Sequence, residues 1–226
     1  MSKAGRERLG IMGGTFDPIH FGHLLSAEEA RLRFRLERII FIPNGRPPHK
    51  KDYAVTPAEH RYQMAELATG PNPHLLCSRL ELDRPGPSYT IDTLRALAEQ
   101  GERPRDLYFI TGADAILQLL TWRQPEELAD LCWLIAVTRP GYDLAEMERR
   151  VDAKLMARVR PLSVPGVDIS STELRRRAVL GQSLRYLTPG AVACYIAKHG
   201  LYQPAAASRR RAQSRAHRKT TSLEEV

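Results

Sequence analysis

Long hydrophobic runs are missing from this sequence. The longest apolar stretch, Leu131 to Val137, falls far short of a membrane span, which needs about 20 residues, so no membrane partner is expected. Met1 to Arg8 is charged and no signal-like apolar segment follows it. Cysteine is scarce: Cys77, Cys132 and Cys194 lie far apart and form no C-x-x-C pair. That gives no disulfide framework, and a reducing cytoplasmic location is expected. The chain also lacks a G-x-x-x-x-G-K-[ST] P-loop, and Gly10, Gly13 and Gly14 do not make a G-x-G-x-x-G fingerprint. No serine or cysteine stands in a recognisable nucleophile setting. Covalent catalysis and the two commonest nucleotide loops are therefore not indicated.

What is present is one domain's worth of chain. At 226 residues a single core suffices without staples. A domain over residues 1–204 and a basic, disordered tail over residues 205–226 are expected. The tail carries Arg209, Arg210, Arg211, Arg215, Arg218 and Lys219 against Glu224 and Glu225, so it holds +4 of the net +8. It is poor in apolar residues. It reads either as a solvated extension or as a nonspecific binder of nucleic acid. The mildly basic body suits anionic ligands.

The most informative stretch is Gly13-Gly14-Thr15-Phe16-Asp17-Pro18-Ile19-His20-Phe21-Gly22-His23-Leu24. It follows a strand-like run, Leu9 to Met12, and precedes a helical stripe of Leu24, Ala27, Ala30 and Phe34. Two glycines let the backbone approach a bulky anion, and Pro18 holds the loop out of helical geometry. The helix expected to start near Phe21 or Gly22 offers free N–H groups to an anion. His20 and His23, three apart, can both reach the same phosphates. A tight strand-to-helix turn with two surface histidines is the plainer alternative. A two-histidine metal site lacks an acidic or cysteine ligand at a zinc-like spacing.

Alternation continues down the chain. Arg38 to Ile42 reads as a strand ending at Pro43, followed by a basic loop, Asn44 to Lys51. Thr56-Pro57-Ala58-Glu59 is a capping box opening a helix to about Thr69. His74 to Leu82 reads as a strand, and a helix with Ile91, Leu94 and Ala98 on one face follows Ser88-Tyr89-Thr90, ending near Gly101. Leu107 to Ile110 is a strand that runs into Thr111-Gly112-Ala113-Asp114, where a carboxylate at a strand's carboxyl end can accept from ribose hydroxyls. Cys132 to Val137 is a strand with Trp133 in the core. A helix capped by Asp143 and Glu146 places Met147, Val151 and Leu155 at spacing four, and Arg160 to Val164 is the last strand. Thr188-Pro189 opens a final helix that packs Val192 and Ile196 and stops at Gly200. Such alternation predicts an α/β fold, a Rossmann-like doubly wound parallel sheet, with the post-strand segments on one ligand-binding rim.

A second anion site is signalled by Ile169-Ser170-Ser171-Thr172-Glu173-Leu174-Arg175. Ser170 and Glu173 form a capping box, the hydroxyls of Ser171 and Thr172 can donate to phosphate oxygens, and Arg175 one turn on can add a charge-assisted contact.

The twelve-residue stretch resembles the signature of the nucleotidylyltransferase superfamily, most closely the bacterial nicotinate-nucleotide adenylyltransferases. Pro47-Pro48-His49-Lys50, Ser88-Tyr89-Thr90, Gly112-Ala113-Asp114 followed by Trp122, and Ile169 to Arg175 resemble further motifs of that family. The likeness covers about Leu9 to Tyr202. It implies transfer of the adenylyl group of ATP to nicotinate mononucleotide, releasing pyrophosphate, by direct attack with Mg²⁺ arriving on the triphosphate. It implies catalytic roles for His20, His23 and Arg175. ATP contacts fall to Gly13, Gly14, Thr15, Phe16, Gly112, Asp114, Ser171 and Thr172. Acceptor contacts fall to Lys50 on phosphate, the Ser88, Tyr89 and Thr90 backbone on the pyridine carboxylate, and Trp122 on the pyridine face. No resident metal site and no specific nucleic-acid partner are expected, and monomer and homo-oligomer both remain open. The alternatives are a related adenylyl- or cytidylyltransferase with another acceptor, such as a phosphopantetheine, and an RNA-binding module working through the tail. A class I aminoacyl-tRNA synthetase would share the His-x-Gly-His logic, but the chain has no room for its other domains.

Overall fold

Strand β1 (Leu9–Gly14) is the axis of the molecule. In the computed structural model, residues 7–47, 54–100, 107–118, 121–138, 147 and 149–203 are described. β1 pairs on one side with β2 (Arg38–Pro43) and on the other with β4 (Leu107–Gly112), all parallel. With β3 (Leu75–Cys77), β5 (Trp133–Thr138) and β6 (Val159–Ser163) the sheet runs β3-β2-β1-β4-β5-β6. This is the dinucleotide-fold strand order, whose direction of winding reverses between β1 and β4 and opens a crevice at their carboxyl ends.

The strand residues explain why both faces are covered. Leu9 and Ile11 belong to one apolar cluster and Met12 to another, as a period of two requires. On the first face lie α3 (Thr90–Glu99), α4 (Ala113–Leu117), α5 (Pro125–Leu131) and α6 (Ala153–Met156). On the second lie α1 (Phe21–Phe34), α2 (Ala58–Thr69), α7 (Ser171–Val179) and α8 (Gly190–His199). α3 shows the energetics: Ile91, Leu94 and Leu97 are buried, each contributing roughly 1.5–3 kcal/mol of transfer free energy. Among the described residues no helix is long and apolar enough to cross a membrane.

Five local expectations are corrected. Thr56 does not cap α2; Pro57 occupies the cap position without a side-chain bond. The N–H of Thr56 goes to Asp17 Oδ2 and its carbonyl to Arg61 Nε, so Thr56 belongs to the loop. The strand expected over His74 to Leu82 is only Leu75–Cys77. Ser78 donates a last bond to Phe41 and its Oγ then accepts from Leu80, which turns the chain so that Glu81 folds inward. On α3 the buried third position is Leu97 and not Ala98. Met147, Val151 and Leu155 are all buried as expected, but the chain bends at Val151, where Asp152 caps a new turn by accepting from Lys154. Trp133 is half-buried, packs against the core from the first position of β5, and carries Arg160 over its ring at 4.1 Å and Arg158 at 4.7 Å. Gly101, Asp143, Glu146 and the tail from Ala205 to Val226 lie outside the described residues.

Candidate active site

The turn between β1 and α1 is held from the far end of the chain. Three successive carbonyls each receive a side-chain donor: Asp17 from Arg175 Nη1, Pro18 from Ser171 Oγ and Ile19 from Thr188 Oγ1, all at 2.8 Å. The two motifs that sequence reading singled out are thus bonded to each other. Asp17 itself is 1% exposed, and its carboxylate accepts from Tyr202 Oη at 2.7 Å and from the Thr56 N–H at 3.2 Å. The Tyr202 hydroxyl is held protonated by burial and then by that neighbouring charge, both of which raise its pKa. The Asp17–Pro18 peptide is cis and Phe16 takes a left-handed φ of 48°.

His20 is the cap residue of α1, in extended geometry. Its N–H donates to His23 Nδ1 at 3.2 Å. A neutral His23 accepting at Nδ1 carries its proton on Nε2. The two rings stack at 3.7 Å, and Phe16 meets His23 edge-on at 5.1 Å. Burial lowers the pKa of His20 to about 4. Burial, and then the charge of His20, lowers that of His23 well below the ordinary value. Both shifts favour the neutral imidazoles. Gly22 lies under the pair: a Cβ there would stand 3.0 Å from His20 Nδ1.

Two cavities open at the β1/β4 crevice. The larger, about 600 Å³, is lined by Gly13, Gly14, Phe16, His20, His23, Gly112 and Asp114, with Val164 and Ile169 as an apolar wall. The smaller, about 300 Å³, is lined by Thr15, Asn44, Glu81, Ser88, Tyr89, Thr90 and Trp122. Gly13, Gly14 and Thr111 line both. Such a bipartite crevice suits two ligands that must meet end to end.

The smaller cavity has its own framework. Ser88 does not cap α3; Tyr89 holds the cap position. The Ser88 hydroxyl accepts from the N–H groups of Gly45 and Arg46, and its own N–H donates to the Arg46 carbonyl. Among the described residues the N–H groups of Tyr89 and Thr90, at the start of α3, have no hydrogen-bond acceptor and can serve as donors. Trp122 meets Phe109 edge-on at 6.0 Å, which leaves an indole face for the cavity. Arg123 lies over the Tyr89 ring at 5.1 Å.

Most of the expected residues converge here: Gly13, Gly14, Phe16, His20, His23, Gly112 and Asp114 around one cavity, Thr15, Ser88, Tyr89, Thr90 and Trp122 around the other. Ser171, Thr172 and Arg175 are not in either cavity wall; Ser171 and Arg175 are tied to the turn, and Thr172 Oγ1 accepts from Arg175. Lys50 lies outside the described residues. Sequence reading missed Asp17, Asn44, Arg61, Glu81 and Tyr202. Arg61 carried a usable signal, since it falls on the same helical stripe as Met64, Ala65 and Ala68. Among the described residues no group of three or more His, Cys, Asp or Glu is placed to hold a metal ion.

Comparison with known proteins gives the same direction. A cytidylyltransferase-like family model matches residues 11–177. A protein of Thermus thermophilus named "Probable nicotinate-nucleotide adenylyltransferase" is 52% identical over 196 residues, covering 87% of this chain and all of the relative. One of Moorella thermoacetica, with the same name, is 50% identical over 200 residues, covering 87% of this chain and 92% of its own. The chain belongs to the nicotinate-nucleotide adenylyltransferase family. As a member it is a nucleotidyltransferase. In fold it is similar to the Plasmodium falciparum nicotinic acid mononucleotide adenylyltransferase solved in complex with NaAD. That likeness has a TM-score of 0.70 at 19% identity, over 87% of this chain and 98% of that one. Family membership and the bipartite crevice agree without either being read from the other.

Proposed function

We propose that this nicotinate-nucleotide adenylyltransferase joins ATP and nicotinate mononucleotide by direct in-line transfer, each substrate occupying one of the two cavities. The observation that carries this reading is the shared wall of Gly13, Gly14 and Thr111. ATP, taken as its Mg²⁺ complex, lies in the larger cavity with its adenosine against Val164 and Ile169 and its ribose hydroxyls near Asp114. Nicotinate mononucleotide lies in the smaller one, its pyridine on Trp122 and its carboxylate at the Tyr89 and Thr90 N–H groups. Lys50 is assigned to the acceptor phosphate on its motif alone.

A phosphate oxygen of the mononucleotide attacks the α-phosphorus of ATP. The bond from that phosphorus to the α–β bridging oxygen breaks, and pyrophosphate leaves with the electron pair. Such a transfer asks the protein for alignment and charge neutralisation. Orientation of two bound reactants can supply roughly 7–11 kcal/mol of the barrier, and fixed donors aimed at the developing charge supply much of the rest. In this reading His23 Nε2–H and the His20 ring, both on the wall of the larger cavity, donate to the triphosphate. Arg175, which bonds the Asp17 carbonyl in the structure, is assigned to the same phosphates on its motif. All three cysteines are free, which fits a reducing cytoplasm.

The test is pyrophosphate release from ATP and Mg²⁺ with nicotinate mononucleotide, nicotinamide mononucleotide and phosphopantetheine in parallel. Strong preference for the first is expected. Preference for the second overturns the pyridine-carboxylate assignment, and activity with the third alone overturns the whole acceptor pocket.

A further inference from the structure

β1 and β2 are hydrogen-bonded as far as the Asn44 N–H to the Gly14 carbonyl, at 2.9 Å. Beyond that rung the two chains part: Thr15, itself on the wall of the smaller cavity, leads into the turn that carries Phe16, His20 and His23 to the larger one, and Gly45 leads into the loop beside the smaller one. Among the described residues, Arg61 spans the gap. Arg61, in the first turn of α2 and 1% exposed, donates from Nη1 to the Thr15 carbonyl at 2.8 Å. It also donates from Nη2 to the Gly45 carbonyl at 3.3 Å and from Nε to the Thr56 carbonyl at 2.8 Å. A planar guanidinium can serve three diverging acceptors at once because its five N–H groups sit in a fixed fork. Gly45 is clamped from the opposite side as well. Its N–H bonds Ser88 Oγ at 2.9 Å, and a Cβ on it would lie 2.3 Å from the Glu81 carbonyl oxygen. The guanidinium therefore continues the β1–β2 pairing past the end of the ladder, with side-chain donors in place of strand N–H groups.

We propose that Arg61 is a positioning residue that fixes the spacing between the ATP-side turn and the acceptor-side loop, and with it the distance between attacking oxygen and α-phosphorus. This rests on the assignment of one substrate to each cavity. Arg61 lines neither cavity, so its effect reaches the reaction through the two backbones it joins. Misplacement of a reacting group by about 1 Å costs on the order of a hundredfold in rate.

The experiment is Arg61→Lys, which keeps the buried charge but offers its donors from one point and cannot bridge three carbonyls. The variant and the unsubstituted enzyme are assayed side by side with ATP and nicotinate mononucleotide, and each substrate is titrated alone by calorimetry. A fall in kcat of about 30-fold or more is expected, with each separate dissociation constant changed less than threefold. Wild-type kcat in the variant overturns the proposal and assigns Arg61 to charge alone. A loss of kcat matched by equal weakening of both substrates also overturns it, since general loosening would do that. An inactive unsubstituted enzyme would refute the substrate assignment instead, which separates the two failures. If Arg61→Lys does not stay folded, Arg61→Ala is assayed with low-millimolar guanidinium. Recovery with guanidinium but not with ammonium supports the bridge; recovery with both, or with neither, overturns it.

Discussion

The imidazoles of His20 and His23 stack face to face at 3.7 Å, and the backbone N–H of the first donates to Nδ1 of the second. Two cationic rings at that separation would repel strongly, and burial opposes charge on either. The pair is therefore a set of neutral donors built into the start of a helix.

That neutrality has a stability signature. The pKa of His20 is lowered to about 4 in the folded chain, against about 6.5 for a free histidine. Between those values the unfolded chain binds more protons, so stability rises with pH there and is lost as pH falls. Above about pH 6.5 His20 is neutral in both states and adds no slope. Denaturant midpoints from pH 4 to 8 are expected to decline toward acid in the wild type and to decline less in His20→Asn. The difference is about 3 kcal/mol at most. Parallel curves would show that His20 titrates normally.

Replacing His23 by alanine removes the donor Nε2–H and one half of the stack. Turnover is expected to fall about 10²–10³-fold, the scale for one transition-state donor. The unfolding midpoint should drop by only a few degrees, as a loss of about 1–2 kcal/mol implies. Steady-state kinetics beside a thermal melt makes the comparison; unchanged turnover would take His23 out of the site.

Under the proposed assignment, Trp122 should tell the two substrates apart. Trp122→Ala is expected to raise KM for the mononucleotide about 3–10-fold, the range of one aromatic contact. KM for ATP should not move. Trp122→Phe keeps a ring face and recovers most of the loss. A rise in KM for ATP instead would place the wrong substrate in the smaller cavity.

Tyr202 lies 185 positions from Asp17 and touches it. Tyr202→Phe leaves the ring in place and deletes the hydroxyl that donates to a buried carboxylate. A stability loss of about 1.5–3 kcal/mol is expected, as for a hydrogen bond to a charged group. Chemical denaturation reads it directly, and a loss below a few tenths of a kcal/mol would show that water replaces the hydroxyl.

The sequence made the periodic parts plain. β1, β2, β4, β5 and α1 stand where apolar spacing placed them, since a two-sided sheet demands continuous apolar strands. The glycine turn and the Ile169 to Arg175 start were legible because a close-packed turn needs small residues and a capped helix start needs hydroxylic ones. What stayed hidden was long-range and polar. Nothing near Tyr202 announces a carboxylate 185 residues away, and the stripe that Arg61 shares with Met64, Ala65 and Ala68 signals its burial but not the three carbonyls it serves. β3 was overread because residues after Cys77 alternate as a strand would, while Ser78 bends the chain through a local bond that periodicity does not register.

The partition of Gly13, Gly14 and Thr111 also bears on how such an enzyme can change over generations. Each of these residues faces both cavities, so under the proposed assignment a side chain added there meets both substrates at once. A Cβ on Gly14 would also press on the Phe16 ring at 3.0 Å. In that assignment, separate tuning of the two substrates falls to the outer walls, Val164 and Ile169 on one flank and Tyr89 and Trp122 on the other. The middle of the crevice answers to both at once.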